Sequence, residues 1–311
     1  MSYKKFTKEK IKEIRKIVGK EKALSVLSGG VDSSAVTLLG YKALGRNLKV
    51  VFVDNGLMRK GEPESVAKTF KKLGIKVEIF NAQNNFFRAL KGKTDPEEKR
   101  KAITAAFYKD IFRKIIKEKK IKFLFQGTIL TDIEETVAGI KRQHNVLAQI
   151  GINPQKEFGY QVIEPLIELR KDGVRKVAKI LGLPESIYQR MPFPGPALSA
   201  RVIGEANPER IAVIRRATDI VEKELKNTNA FQYFPVLMED RATGLRNNKR
   251  EFGNIIILRC VVSVDARKAR PTKLPWKLLE KITKRLTAEI PGINRVCYDI
   301  TPKPPATIEY I

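Results

Sequence analysis

Ser28-Gly29-Gly30-Val31-Asp32-Ser33-Ser34 separates a short apolar run, Ala23-Leu24-Ser25-Val26-Leu27, from a stretch in which Val36, Leu38, Leu39, Ala43 and Leu44 recur at helical spacing. The first run reads as a buried strand and the second as a helix, which makes the seven residues a strand-to-helix turn. Two successive glycines there let main-chain N–H groups approach an anion. Ser28, Ser33 and Ser34 add hydroxyl donors, and the helix N-terminus adds a favourable dipole. No lysine stands in the loop, and neither G-x-x-x-x-G-K-[ST] nor G-x-G-x-x-G fits it. A plain turn capped by Asp32 or Ser33 is the alternative. The full string in this context favours a phosphate-binding loop.

Outward from the loop, strands are expected at 49–53, 77–80, 123–125 and 162–163, and helices at 8–18, 62–73, 97–118 and 171–181. Strands alternating with helices predict an α/β fold with a parallel sheet covered on both faces, its ligands at the carboxyl ends of the strands. Met191-Pro192-Phe193-Pro194-Gly195-Pro196 forces irregular backbone and sets a boundary near 190. Beyond it the pattern predicts a helix at 208–226, paired strands at 231–238 and 254–264, a helix at 276–289 and a strand at 295–300. That order suggests a small α+β domain with an antiparallel sheet. The expected division is therefore 1–190 and 191–311.

The 311 residues include 61 Lys+Arg against 34 Asp+Glu, a formal charge of +27. Such a charge suits polyanion partners. The basic residues are spread out, though, and where they are dense (4–22 and 113–122) apolar residues recur at helical spacing. They read as Lys-rich solvated faces, and nucleic-acid binding is not expected as the primary role. No apolar run approaches the roughly 18 residues of a spanning helix, and the N-terminus shows no signal-peptide pattern. A cytoplasmic protein without a membrane partner is expected. Two cysteines, Cys260 and Cys297, are too few for a disulfide framework or a four-ligand zinc site. Both fall in expected strands among apolar neighbours and read as buried.

The loop resembles the pyrophosphate-binding loop of the ATP pyrophosphatases, enzymes that split ATP into AMP and pyrophosphate while adenylylating an oxygen. Further stretches resemble the GMP synthetase family in order along nearly the whole chain. They are Val53-Asp54-Asn55-Gly56-Leu57-Met58-Arg59-Lys60-Gly61-Glu62, Thr94-Asp95-Pro96-Glu97-Glu98-Lys99-Arg100-Lys101, Gln126-Gly127-Thr128, Glu164-Pro165-Leu166, Lys171-Asp172-Gly173-Val174-Arg175, Phe193-Pro194-Gly195-Pro196 and Lys303-Pro304-Pro305-Ala306-Thr307-Ile308-Glu309. No Cys precedes residue 260 to act as the nucleophile of a glutamine amidotransferase domain. The pattern matches the amidating subunit of the archaeal two-subunit arrangement, in which a separate glutaminase delivers ammonia.

The resemblance implies an adenine-nucleotide-hydrolase-like ATP pyrophosphatase domain followed by a dimerisation domain, hence a homodimer. It implies ATP-dependent amination of XMP to GMP. Ser28, Gly29, Gly30, Val31, Asp32, Ser33 and Ser34 would hold the ATP phosphates, Val53 and Gly127 the nucleoside, and Asp32 would position Mg²⁺. Arg59, Pro194, Gly195, Pro196, Lys303 and Glu309 would bind XMP. Asp132, Lys171 and Asp172 would line the reaction centre with Asp32. From the residues alone, the segment Lys303 to Glu309 reads as stiff and extended.

The sequence departs from the family pattern at Gln143 (where a His is usual, beside the lone His144), at Asn247 and Asn248 (usually Gly-Asp), and at the terminal Tyr310-Ile311 (usually Trp-Glu). Lineage divergence is one reading. A paralogue with another acceptor, such as tRNA, or an inactive nucleotide-binding scaffold are the others. Thiolation of tRNA is disfavoured by the absence of C-x-x-C and of any cysteine near the loop.

Overall fold

Short apolar segments of the N-terminal half align side by side into a five-stranded parallel sheet of order β3-β2-β1-β4-β5. The strands are β1 (Ala23–Leu27), β2 (Leu48–Asp54), β3 (Val77–Asn81), β4 (Phe123–Phe125) and β5 (Gln161–Ile163). This computed structural model describes residues 2–137 and 159–310. After β1 the chain moves outward to β2 and β3, then crosses back to add β4 and β5 on the other side. The order thus reverses between β1 and β4, and an open parallel sheet binds ligands in the crevice at that switch point.

Helix Val31–Leu44 follows β1 and is apolar on nearly every side, with Ala35, Val36, Leu38 and Leu39 all buried, as suits a helix enclosed by its neighbours. The long helix expected at 97–118 is interrupted. It runs α-helical over Pro96–Ala105, widens to a π-helical segment over Ala106–Phe112, and resumes over Arg113–Lys119. The widened turn carries Tyr108 and Phe112, and Phe112 meets Tyr160 edge-on at 5.5 Å. Helices Gln83–Leu90 and Leu130–Val137 were not legible from periodicity.

The chain divides into two compact units. One contains Met1–Asp54, Gly61–Ala82 and Thr104–Arg190; the other contains Asn55–Lys60, Gln83–Ile103 and Met191–Ile311. A single cut near 190 is therefore too simple. Segments 55–60 and 83–103 group with the second unit because Leu57 and Leu90 are buried in its core, while Arg215 donates to the carbonyls of Gly56 and Met58.

The second unit is built on β6 (Gln232–Arg246) and β7 (Lys249–Val262), an antiparallel pair far longer than expected, joined by Asn247-Asn248. Both asparagines have left-handed φ, 51° and 60°, the conformation a tight hairpin turn requires and Asn tolerates. These two departures from the family pattern therefore form a turn. The expected all-antiparallel sheet is mixed: β8 (Arg270–Pro271) pairs antiparallel with β7, and β9 (Ile293–Asp299) pairs with it in parallel.

Side chains alternate across this sheet with period two. Ile256, Leu258 and Cys260 join Ile211, Ile214 and Val221 of helix Pro208–Leu225 on one face, while Val261, Phe234 and Ile308 gather on the other. Cys260 is buried as expected, but Cys297 is exposed, because Val296 and Tyr298 take the core-facing positions of β9.

The candidate functional site

In the first unit the seven-residue loop leaves β1 at the switch point. Gly29 has φ +77°, and a Cβ there would stand 2.9 Å from Glu62 Oε1, so both conformation and space demand glycine. Arg190 fixes this corner, donating to the Gly29 carbonyl at 3.1 Å and pairing with buried Glu62 at 2.6 Å. Gly30 is the N-cap of helix Val31–Leu44. The hydroxyls of Ser28 and Ser33 lie 3.0 Å apart, and Ser28 Oγ accepts from the Gly30 N–H at 3.4 Å. Gly127 follows β4 on the far side of the switch point. A Cβ there would come 3.0 Å from the Ser33 nitrogen, so the two loops touch through bare backbone. Val53 is buried near the carboxyl end of β2.

Asp32 lies in the first turn of its helix, where a carboxylate is favoured. Lys171 Nζ is 2.5 Å from its Oδ2, while Oδ1 is buried and has no hydrogen-bond partner among the described residues. Burial pushes the Asp32 carboxyl up, Lys171 opposes that, and the charge of Asp132 adds to it. Asp132 Oδ2 accepts from the Ile129 N–H at 3.1 Å. Glu164, quoted above within a family stretch but given no role there, accepts from Thr128 Oγ1 at 2.5 Å, and its pKa is raised by burial and by Asp132. A desolvated carboxylate oxygen in an acidic field suits a cation. Among the described residues no three His, Cys, Asp or Glu side chains converge into a metal cage. That donor set fits Mg²⁺, which is commonly held by one or two carboxylates together with substrate phosphates.

The expected Lys171–Asp172 pair is split. Successive helix positions diverge by about 100°, so while Lys171 meets Asp32, Asp172 is exposed and faces Lys176 at 3.8 Å. The structure does not bring Asp172 to Asp32.

Every residue assigned to XMP by resemblance falls in the second unit. The Arg59 guanidinium lies 3.8 Å from the Phe193 ring centroid and pairs with Glu222 at 2.6 Å. Pro194 and Pro196 bracket Gly195 and lead into a 3₁₀ turn, Ala197–Arg201, tied back by Ser199 Oγ donating to the Pro196 carbonyl at 2.6 Å. Lys303 and Glu309 line one cavity of about 350 Å³ together with Gln232, Thr307 and Ile308. Lys303 Nζ donates to the Ala266 carbonyl at 2.9 Å.

The tail carrying Lys303 and Glu309 is not extended. It folds back, with the Ala306 N–H on the Pro302 carbonyl. Fully buried Arg259 donates to the carbonyls of Thr301 and Thr307 and pairs with Asp299, which also accepts from Tyr310 Oη. Arg259 escaped sequence reading, although a charge inside the run Ile255 to Val262 signals a buried ion pair. Gln143 and His144 lie outside the described residues, as does Ile311.

The family described as "NAD synthase" matches residues 3–198, and that described as "GMP synthase C terminal domain" matches residues 219–310. One subunit of the glutamine-hydrolyzing GMP synthase of Pyrococcus abyssi is 48% identical, with 100% of both chains covered. Its counterpart from Archaeoglobus fulgidus is 49% identical with the same coverage, and that from Methanocaldococcus jannaschii 48% identical over 99% of this chain and 98% of its own. This chain belongs to the GMP synthase family. The NAD synthase match covers the parallel-sheet unit's loop, and the GMP synthase C terminal domain match covers the mixed sheet and tail. Membership accounts for the ordered motifs from Ser28 to Glu309. Among the described residues no helix is long and apolar enough to cross a membrane.

Proposed function

We propose that this chain catalyses the ATP-dependent amination of XMP to GMP, as the synthetase subunit of a two-subunit GMP synthase. The observation that carries this reading is near-50% identity, across the whole chain, to proteins named as single subunits of GMP synthase. In the first step the XMP O2 attacks the α-phosphorus of ATP, forming an O–P bond as the bond to pyrophosphate breaks. In the second, ammonia adds at C2 and AMP leaves with the oxygen, giving GMP. Adenylylation is needed because a urea-like carbonyl oxygen is a poor leaving group and AMP a good one.

The roles of individual side chains are those that the family resemblance implies. The main-chain N–H groups and hydroxyls of Ser28 to Ser34 bind the phosphates and stabilise charge developing on the leaving pyrophosphate. Asp32 would hold Mg²⁺ through Oδ1, and that ion when bound would neutralise phosphate charge. Lys171, held by Asp32, presents a cation at the same place. Arg59, Lys303 and Glu309 bind the acceptor nucleotide, with Pro194, Gly195 and Pro196 shaping its pocket. The ammonia comes from a separate glutaminase, and the second unit provides the contacts of a homodimer.

The test mixes purified protein with MgATP and ammonium, with and without XMP, and follows pyrophosphate and GMP. XMP-dependent production of both supports the reading. Pyrophosphate release indifferent to XMP would point to another acceptor, and no turnover with strong ATP binding would point to a scaffold.

A further inference from the structure

Two arginines, Arg201 and Arg259, are fully buried in the second unit. Arg259 pairs with Asp299 and holds the backbone of the tail. Arg201 pairs with Glu309. Its Nη2 donates to Glu309 Oε1 at 3.3 Å, and the same oxygen accepts from Gln232 Nε2 at 2.5 Å. Glu309 Oε2 is buried and has no hydrogen-bond partner among the described residues. One oxygen of the carboxylate is thus occupied by the protein, and the other is left as an acceptor in a residue that lines the 350 Å³ cavity.

The guanidinium lies against two rings, while its Nε and Nη1 are buried without a hydrogen-bond partner among the described residues. The Phe193 and Phe234 ring centroids lie 5.0 and 4.4 Å from it. Its backbone ends the turn Ala197–Arg201, and the buried Lys99 amine ties that turn down by donating to the carbonyls of Ser199, Val202 and Gly204 at 3.4, 2.7 and 3.0 Å. A planar cation stacked on rings keeps its orientation and hands that orientation to a bonded carboxylate; a lysine ammonium does neither. Burying such a charge is costly unless it is paired, and Glu309 is the carboxylate that pairs with it.

We propose that Arg201 is a positioning residue for the acceptor nucleotide: it fixes the Glu309 carboxylate so that Oε2 accepts an N–H of the acceptor's purine base. The proposal rests on the reading of this cavity as the acceptor site.

The test compares wild type, Arg201→Lys, Glu309→Gln and the double variant, measuring pyrophosphate release with MgATP, ammonium and varied XMP, and XMP affinity by calorimetry. Arg201→Lys should raise the KM for XMP about tenfold or more, the size expected for a charge-assisted hydrogen bond, with the KM for ATP changed less than about twofold. In the Glu309→Gln background the same substitution should weaken XMP binding less than about twofold, because its effect passes through that carboxylate. Phe234→Leu, a milder change that loosens the guanidinium, should show the same split between XMP and ATP at smaller size. Equal effects of Arg201→Lys in both backgrounds, or parallel losses for XMP and ATP, would overturn the positioning role alone. A wild-type protein without XMP-dependent pyrophosphate release would overturn the underlying reading, and the assignment with it.

Discussion

Lys171 Nζ lies 2.5 Å from Asp32 Oδ2 although 139 residues separate them, and the other oxygen of that carboxylate is left buried without a partner among the described residues. The ammonium meets the carboxylate through one oxygen only, and the other oxygen remains an acceptor without a donor among those residues. Asp32→Asn keeps the shape and removes the charge. XMP-dependent pyrophosphate release should fall by roughly a hundredfold or more, the scale of losing one electrostatic group, here the carboxylate that would hold the cation beside the reacting phosphates. Lys171→Met should lower the rate too, and should leave thermal stability nearly unchanged because the pair is partly solvated. Wild-type turnover by Asp32→Asn would remove Asp32 from the chemistry.

The loop glycines separate conformation from space. Gly29 and Gly61 both have left-handed φ, +77° and +64°, but a Cβ at Gly29 meets Glu62 at 2.9 Å while one at Gly61 meets nothing within 4 Å. Gly61→Ala should cost about 1 kcal/mol from backbone strain alone and retain activity. Gly29→Ala carries that strain and also displaces the Glu62–Arg190 pair, so it should cost about 2–3 kcal/mol and lose most ATP-dependent turnover. Urea unfolding and pyrophosphate release measure the two effects, and equal destabilisation by both substitutions would discount the contact.

The parallel sheet was legible because β1, β2 and β4 are short apolar runs bounded by turn residues, and the loop was legible because its residue types fit one job. The tail was not. Its prolines imply extension, whereas long-range bonds from Arg259 to Thr301 and Thr307 fold it back. The full length of β6 and β7 was hidden for a different reason. Residues 239–253 carry charges on both faces as an exposed ribbon, so no apolar alternation marks them as strand. Arg201 was not legible because no acidic residue lies beside it in sequence, and the carboxylate it meets among the described residues, Glu309, stands 108 residues on.

The charge of +27 predicts how a separate glutaminase would associate. If an acidic face of that partner meets this basic surface, the association rate should fall about tenfold or more as ionic strength rises from about 0.05 to 0.5 M, while dissociation changes little. Surface plasmon resonance across that salt range measures both rates. An association rate indifferent to salt would assign the charge to solvation instead.

Lys99 gives the second unit a pH-dependent stability. Its side chain is 1% exposed, and burial, with Arg210 nearby, pulls its pKa from 10.5 down to about 8. Below pH 8 folded and unfolded chains both hold the proton, and this group contributes no slope. Between about 8 and 10.5 the unfolded chain holds more protons than the folded one, so stability gains from this residue as pH rises. At about 1.4 kcal/mol for each pH step separating the two values, the gain reaches roughly 3 kcal/mol. Lys99→Met removes the titration and leaves three carbonyls without their donor, so it should be destabilised already at about pH 7.5. Its deficit relative to wild type should then widen toward about pH 10. Urea unfolding of both proteins at several pH values cancels the other titrating groups. A deficit that stays constant across that range would mean the Lys99 amine keeps its proton in the folded chain.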